Sequence, residues 1–463
     1  MNEVQKYLQA LLANQGIESP GKYEKEFIEF ASNEKNIENV NRIKELQKQM
    51  TQNWQVRARR LDIQNQYITF PNGMVGKPYH ALFDFDQLGL KDIIAYVLTG
   101  FEGSGLNYDI ETKTISGIPE NNGDVVLEFC YRFDGEEEDI PLNTKKLSII
   151  INMDPKSLWK DIPGDVNDPY YKPDTICESV LLGDHTLVVA SKRGRSHANI
   201  GSFRDDDYAY TNLKNGWSII AISDGAGSAP VSRKGSEIVC NAVVNYFKEC
   251  FSDEVTKAID TVVESSSDFK TALKPVALPH LTNAANHAFE EIEAFANAVA
   301  RPLSDFHATL SFALVKKYER GYVVMSFGVG DCPMVLLNKD LTQVLVMNKL
   351  DVGEFGGGTR FITMPDIFRA EDFESRFNFE FVNDFSYFVL MTDGIYDPKF
   401  EVEANLAKPE RWRLFVEDLE GNNEENIAVG FTENSEGREE RLSAWMNFWS
   451  PGNHDDRTLA ILF

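Results

Sequence analysis

Two apolar runs in this chain end on Asp-Gly: Trp217-Ser-Ile-Ile-Ala-Ile-Ser223 runs into Asp224-Gly225, and Tyr387-Phe-Val-Leu-Met-Thr392 into Asp393-Gly394. A third acidic pair, Asp455-Asp456, precedes the apolar run Thr458-Leu-Ala-Ile-Leu-Phe463. Carboxylates placed where buried strands end can converge, and converging carboxylates hold hard divalent cations. The chemistry on offer is metal-assisted. A lone Asp-Gly is mostly a turn, but Gly225, Gly227 and Ser228 follow closely here and an amphipathic helix opens within about ten residues. Glycine lets the backbone approach an ion, so the Asp224 carboxylate and an adjoining carbonyl can both be ligands. Asp134-Gly135 is a look-alike that runs into Glu136-Glu-Glu-Asp139 and reads as a solvated hairpin tip.

The elements that must position these residues change character along the chain. Residues 1–62 read as helical, with Leu8, Leu11 and Leu12 before the break at Ser19-Pro20-Gly21 and Ile37, Val40, Ile43, Leu46 and Met50 after it. So narrow a stripe suits a docking face on the same protein, or a coiled-coil arm for a partner. Residues 63–154 read as short strands, with a hairpin signal at Asn72-Gly73 and a final strand at Leu147–Met153. Residues 155–174, rich in Pro, Gly, Asp and Asn, read as a linker. In 175–463, strands at Thr186–Ala190, Trp217–Ser223, Leu310–Val315, Tyr322–Gly328 and Met334–Leu337 accompany helices at Ser232–Phe251 and about Leu281–Ala300. Strands that outnumber helices and often adjoin predict antiparallel sheets flanked by helices, an α+β architecture.

Composition narrows the function classes. Lys plus Arg number 46 against 72 Asp plus Glu, and the net charge of −26 repels phosphate backbones, which argues against nucleic acid as a partner. Five cysteines without a Cys-x-x-Cys suit a reducing compartment. No signal peptide or membrane span is evident, so a cytoplasmic, bacterial protein is expected. Seven histidines without paired ligand spacing disfavour zinc.

Further pieces fall in an informative order: Gly194-Arg-Ser-His-Ala198, Arg204-Asp-Asp-Asp-Tyr208, the first Asp-Gly, His307-Ala-Thr-Leu-Ser311, Gly328-Val-Gly-Asp-Cys332, Phe388 to Asp397, and His454-Asp-Asp-Arg-Thr458. The set resembles the metal-dependent protein phosphatase 2C family in its stand-alone bacterial form, over about Thr175–Phe463. Gly105-Leu-Asn-Tyr-Asp109 followed by Thr114-Ile-Ser-Gly-Ile-Pro119 resembles an immunoglobulin-like domain appended to bacterial proteins. Together the two resemblances imply a helical segment, a small β-sandwich and a phosphatase-like β-sandwich flanked by helices.

The phosphatase resemblance implies two Mg2+ or Mn2+ ions and a weaker third. Asp224 matches the bridging ligand, Gly225 the carbonyl ligand, Asp206 the early acidic ligand with Asp205 as its more distant neighbour, Asp393 the second Asp-Gly ligand and Asp455 the terminal one. Asp331 and Asp397 match the third-metal residues. Such an ion pair, about 3.5–4 Å apart, acidifies a shared water and neutralises phosphoryl oxygens. Where many relatives carry a histidine as general acid this chain has Ala226, leaving His197 as the nearest candidate in motif terms, set against the structural role a lone histidine commonly has. Arg195 and Arg204 are candidates for a phosphate contact, or plain ion-pair residues. Phe355-Gly-Gly-Gly-Thr-Arg-Phe-Ile362 reads as a loop beside the site, and Trp412, Trp445 and Trp449 as core. The expected activity is hydrolysis of phosphoserine or phosphothreonine in proteins, with a bacterial kinase's product as substrate. The rivals are a weakly catalytic scaffold binding phosphoproteins or a kinase, and a phosphatase of small molecules.

Overall fold

The computed structural model describes residues 1–17, 21–266, 268–351, 358–431 and 436–463. Ser19-Pro20 and Phe355–Gly357, named in the sequence reading, lie outside them. The chain divides into two compact units, Met1–Leu158 and Trp159–Phe463. Among the described residues no helix is long and apolar enough to cross a membrane.

The first unit opens with helices α1 (Glu3–Asn14), α2 (Glu24–Ser32) and α3 (Glu34–Asn65). A capping box starts α1: the Gln5 amide donates to Asn2 Oδ1 and the Asn2 amide to Gln5 Oε1. Leu8, Phe27, Ala31 and Val40 close a small core, whereas Ile43, Leu46 and Met50 of the same stripe are exposed. Strands β1 (Gly73–Met74), β2 (Tyr79–Leu82), β3 (Ile93–Thr99), β4 (Leu106–Asp109), β5 (Thr114–Gly117), β6 (Gly123–Phe133) and β7 (Asn143–Asn152) form two sheets, ordered β1-β7-β6-β3 and β2-β5-β4. Phe83, Ile115, Leu127, Phe129 and Ile149 fill their common core, which Ile63 of α3 joins. Asn72-Gly73 is not a hairpin: Gly73 and Met74 pair in parallel with Ile151 and Asn152. Asp134-Gly135 does lie in the turn between β6 and β7, which pair antiparallel.

The second unit is a sandwich of two antiparallel sheets. One is ordered β10-β11-β12-β13-β16 and the other β15-β14-β17-β18-β9-β8. The strands are β8 (Thr175–Leu182), β9 (His185–Lys192), β10 (Asp207–Asn212), β11 (Trp217–Ser223), β12 (Leu310–Tyr318), β13 (Gly321–Val329), β14 (Met334–Leu337), β15 (Val344–Val346), β16 (Phe377–Val382), β17 (Tyr387–Met391) and β18 (Arg457–Leu462). The helices are α4 (Arg195–Ile200), α5 (Ser232–Cys250), α6 (Asp253–Ser265), α7 (Phe269–Ala298), α8 (Asp393–Phe400), α9 (Pro409–Leu419) and α10 (Arg438–Trp445). Along β11, Ile220 and Ile222 face the other sheet, while Trp217, Ile219 and Ala221 pack under α5 and α7. Along β9, Leu187 and Val189 face inward and Val188 and Ala190 face the layer of α8–α10. Both faces are covered, so every side chain of β11 is buried and the strand reads as one apolar run.

Two further sequence expectations need correction. The helix expected from Leu281 begins at Phe269 and runs through Pro275 and Pro279. Asp268 caps it, and Leu273, Ala277 and Leu281 are buried along it, which offsets the helix-breaking cost of the prolines. Residues 159–174 are not a linker but a strap on the second unit. The Ile162 amide donates to Ala198 O, Arg193 grips Asp161 and Ile162 O, and Asp168 pairs with Arg233 at 2.9 Å. Lys172 is buried, with Nζ 2.9 Å from Asp207 Oδ2.

Candidate metal centre

Strand register brings the acidic residues together. Asp207 pairs with Ser223, so Asp206 and Asp224 each lie one step beyond the last pair of β10 and β11. Leu310 pairs with Val329, and Asp331 lies two residues past that pair. Met391 pairs with Leu459, which places Asp393 beyond β17 beside the start of β18, and Asp455 just before that start. One sheet thus supplies Asp206, Asp224 and Asp331 and the other Asp393 and Asp455, from the same end of the sandwich. Asp397 follows Asp393 by one turn of α8, on the same helix face.

Close backbone packing makes this possible. A Cβ on Gly225 would lie 2.7 Å from Asp205 O, and one on Gly394 would lie 1.8 Å from Asp456 O. Neither position accepts a side chain, because the acidic segments touch there. Thr309 then pins Asp224: its amide donates to Asp224 O and its Oγ1 accepts from the Asp224 amide, both at 2.8 Å.

Asp206 is fully buried and held from the six-stranded sheet: Thr392 Oγ1 donates to Oδ2 at 2.8 Å and Thr458 Oγ1 at 2.7 Å. Behind Thr458, Arg204 donates to Ser191 Oγ, which is 2.6 Å from Thr458 Oγ1. Lys172 Nζ and Arg204 Nη1 donate to the Asp206 carbonyl, and Ser236 Oγ to the Asp205 carbonyl. Asp207 turns away to its Lys172 partner, which separates it from Asp206 within the run of three aspartates.

Asp456, absent from the sequence reading of the site, is the hub of the adjoining segment. Its Oδ1 accepts from the Gly194 amide (2.6 Å), and its Oδ2 accepts from the Asp205 amide (2.5 Å) and lies 3.0 Å from His197 Nδ1. His197 Nε2 faces Asp205 Oδ2 at 3.5 Å. Burial alone would lower the His197 pKa, but Asp456, Asp205 and Asp455 raise it to about 9. Burial and repulsion from Asp456 push Asp205 up to about 6 against the pull of His197, Ser232 and Lys172.

The electrostatics are those of crowded like charges. Burial, and then repulsion from Asp393, Asp206, Asp331 and Asp455, drives Asp224 well above the usual carboxylate range. Burial and then Asp455, Asp331, Asp206 and Asp397 do the same to Asp393. Asp206, Asp331, Asp397 and Asp455 are also raised, burial first in each case. Asp331 Oδ1 and Asp393 Oδ1 are buried with no hydrogen-bond partner. Buried charge without compensation is costly, and bare carboxylate oxygens aimed into an acidic cluster fit oxygen-seeking divalent cations. The residues present therefore fit the metals that the sequence implies.

The two arginines do not face this cluster. Arg204 is 1% exposed and spent on Ser191 and Asp206 O, so the phosphate contact considered for it is corrected to a buried structural role. Arg195 donates to the Asn447 and Phe448 carbonyls and lies over Trp449, a framework contact rather than a phosphate one. Trp412 and Trp445 are core, but Trp449 is half-buried and meets His454 at a tilt, and His454 also meets Trp159 of the strap. The Ala226 amide donates to the His307 carbonyl, and His307 Nδ1 lies 2.6 Å from Thr363 Oγ1. Thr392, Thr458, Asp456 and Lys172 were given no site role from the sequence. The first three adjoin its acidic motifs, whereas Lys172 had no local signal.

A helix-flanked double sheet with aspartates gathered at one end defines a class of metal-site protein, and sequence comparison gives the family. Residues 193–447, more than half of the chain, match protein phosphatase 2C, and the chain belongs to that family. No curated protein sequence matches it. Among solved structures, it is similar to a bacterial serine phosphatase at 13% identity, covering 60% of this chain and 96% of that one with a TM-score of 0.35. It is also similar to the catalytic domain of the serine threonine protein phosphatase PstP in complex with two manganese ions, at 14% identity, 62% and 98% coverage and a TM-score of 0.36. The serine/threonine phosphatase Stp1 from Staphylococcus aureus gives 11% identity, 63% and 98% coverage and a TM-score of 0.34.

Proposed function

We propose that the chain is a Mg2+- or Mn2+-dependent phosphatase of phosphoserine and phosphothreonine in proteins, with a bacterial kinase's product as its substrate in the cytoplasm. The observation that carries this is the convergence of Asp206, Asp224, Asp331, Asp393, Asp397 and Asp455 with two bare buried oxygens among them. Asp224 would bridge two ions, with Asp206, Asp393, Asp455 and the Gly225 carbonyl completing their protein ligands and Asp331 and Asp397 serving a third. Bound there, the ions supply Lewis acidity toward a phosphoryl group and acidify water.

The chain's own groups fix and orient. Thr392 and Thr458 hold the Asp206 carboxylate, and Asp456 ties Asp205, His197 and the Gly194 turn into one unit. Both ring nitrogens of His197 face carboxylates, so we assign it a positioning role in place of the general acid expected from its motif. Asp205 then lies behind the ligands, held by His197 and Asp456. For the first unit we propose an immunoglobulin-like sandwich, supported by two sheets sharing one core.

The test is phosphate release from a phosphopeptide panel, run beside sugar phosphates and nucleotides. Release from phosphopeptides with Mn2+, its loss with chelator and its loss in Asp224→Asn are the expected results. Undiminished turnover in that variant sinks the assignment, and preference for small phosphates sinks the protein-substrate reading.

A further inference from the structure

Asp331 sits on a turn with little freedom. Gly330 has φ +102°, and a Cβ there would press to 2.4 Å against Thr309 Cγ2. The Gly330 amide donates to Asp351 Oδ2 at 2.9 Å, and the Asp351 amide donates back to Gly330 O at 2.9 Å. Arg376, buried, takes the same carboxylate with both terminal nitrogens, 2.6 Å to Oδ2 and 3.0 Å to Oδ1. A two-pronged guanidinium fixes orientation as well as charge. On the far side Thr359 Oγ1 donates to Asp331 Oδ2 at 2.8 Å, while Oδ1 stays buried and bare.

We propose that Asp351, Arg376 and Thr359 are positioning residues for Asp331, fixing which of its oxygens is offered to a third divalent cation. Thr359 occupies one oxygen and so selects the other. Asp351 and Arg376 lock the Gly330 peptide that sets the height of Asp331 above the end of β13. Breaking the Asp351–Arg376 pair leaves a buried charge uncompensated beside Gly330, so the turn relaxes and Asp331 moves with it. Among the described residues none of the three clasp side chains hydrogen-bonds the Asp206, Asp224, Asp393 or Asp455 carboxylate, and the turn reaches Asp224 through the packing of Gly330 against Thr309, so the larger effect falls on the weaker site. This inference rests on the metal-site reading above and adds to it the residues that tune the third ion.

The test is calorimetric titration of Mn2+ into the chelator-treated, dialysed full chain, with thermal melts of each variant in chelator. The intact protein should show a tight class of sites and a weaker one. Arg376→Met and Asp351→Asn should weaken the weaker class about 10-fold or more and shift the tight class by less than about twofold, as outer-shell changes at metal sites do. Thr359→Val, which removes only a hydroxyl, should shift the weaker class in the same direction by less. Asp224→Asn should abolish the tight class, which reports on the metal reading by itself. A weaker class unchanged in all three clasp variants overturns the proposal while the tight class stands. An intact protein that binds no Mn2+, or binds it in one class, overturns it as well. If the melts show Arg376→Met and Asp351→Asn unfolded, Thr359→Val decides, and an unchanged weaker class there is fatal.

Discussion

Asp206 shows how a buried carboxylate is aimed before any ion arrives. Two threonine hydroxyls from the opposite sheet reach its Oδ2, and one is backed by Ser191 and Arg204. Removing the Thr458 hydroxyl leaves that oxygen short of a donor, so Thr458→Val should cost about 1–3 kcal/mol of stability. Chemical denaturation of the chelated protein checks this, and a change near zero would mean that Thr392 alone suffices. Asp456→Asn keeps a carbonyl oxygen for only one of the Gly194 and Asp205 amides, sets an NH2 against the other, and removes the charge facing His197. It should weaken Mn2+ binding about 10-fold with the fold intact, as outer-shell changes do, read by calorimetry and circular dichroism. At this scale the sequence was legible where a motif has one acidic residue in the right setting. Asp455 came from the family resemblance and Asp456 received no role, because neighbours in an extended segment point to opposite sides and nothing local says which side is the site. Arg204 was left between a phosphate contact and an ion pair for a related reason, since an arginine beside three aspartates reads the same whether its guanidinium faces substrate or a buried serine.

The strap at 159–174 is the element whose role was hidden. Its Pro, Gly, Asp and Asn content is that of a linker, and the contacts that make it part of the second unit come from residues far along the chain: Arg193, Ala198, Arg233 and Ser236. The sandwich strands, by contrast, were readable, because burial on both faces leaves an uninterrupted apolar run of strand length. Lys172 is the strap's deepest contact, bridging Asp207 and the Asp206 carbonyl. Replacing it with methionine strands Asp207 in the core and should destabilise the unit by about 3–5 kcal/mol, measured by denaturant unfolding. A fragment beginning at Trp159 should accordingly melt cooperatively, whereas one beginning at Thr175 should lack a sharp transition. Equal melts of the two fragments would restore the linker reading.

For the molecule as a whole, the acidic centre sets how stability responds to pH and metal. Asp206, Asp224, Asp331, Asp393, Asp397 and Asp455 all have raised pKa values in the fold, and the neighbouring Asp205 rises to about 6. Between the unfolded carboxylate range near about 4 and these raised values, the folded chain holds more protons than the unfolded one, so its stability falls as pH rises. His197, raised to about 9, acts in the same direction: its stabilisation is complete below the unfolded histidine value and is lost as pH climbs through the folded one. The net charge of −26 adds a general repulsion that also grows with pH, but it is present with or without metal. The discriminating quantity is therefore the difference between metal-loaded and chelated protein. Cations that bind deprotonated carboxylates of the folded state stabilise it by mass action, more strongly as competing protons leave. Scanning calorimetry at about pH 5, 7 and 9, with Mg2+ or with chelator, should show the chelated Tm falling with pH and the gap between the two curves widening. A chelated protein that gains stability over that range, or a gap that stays constant, would mean that the six aspartates do not share one charge-crowded centre.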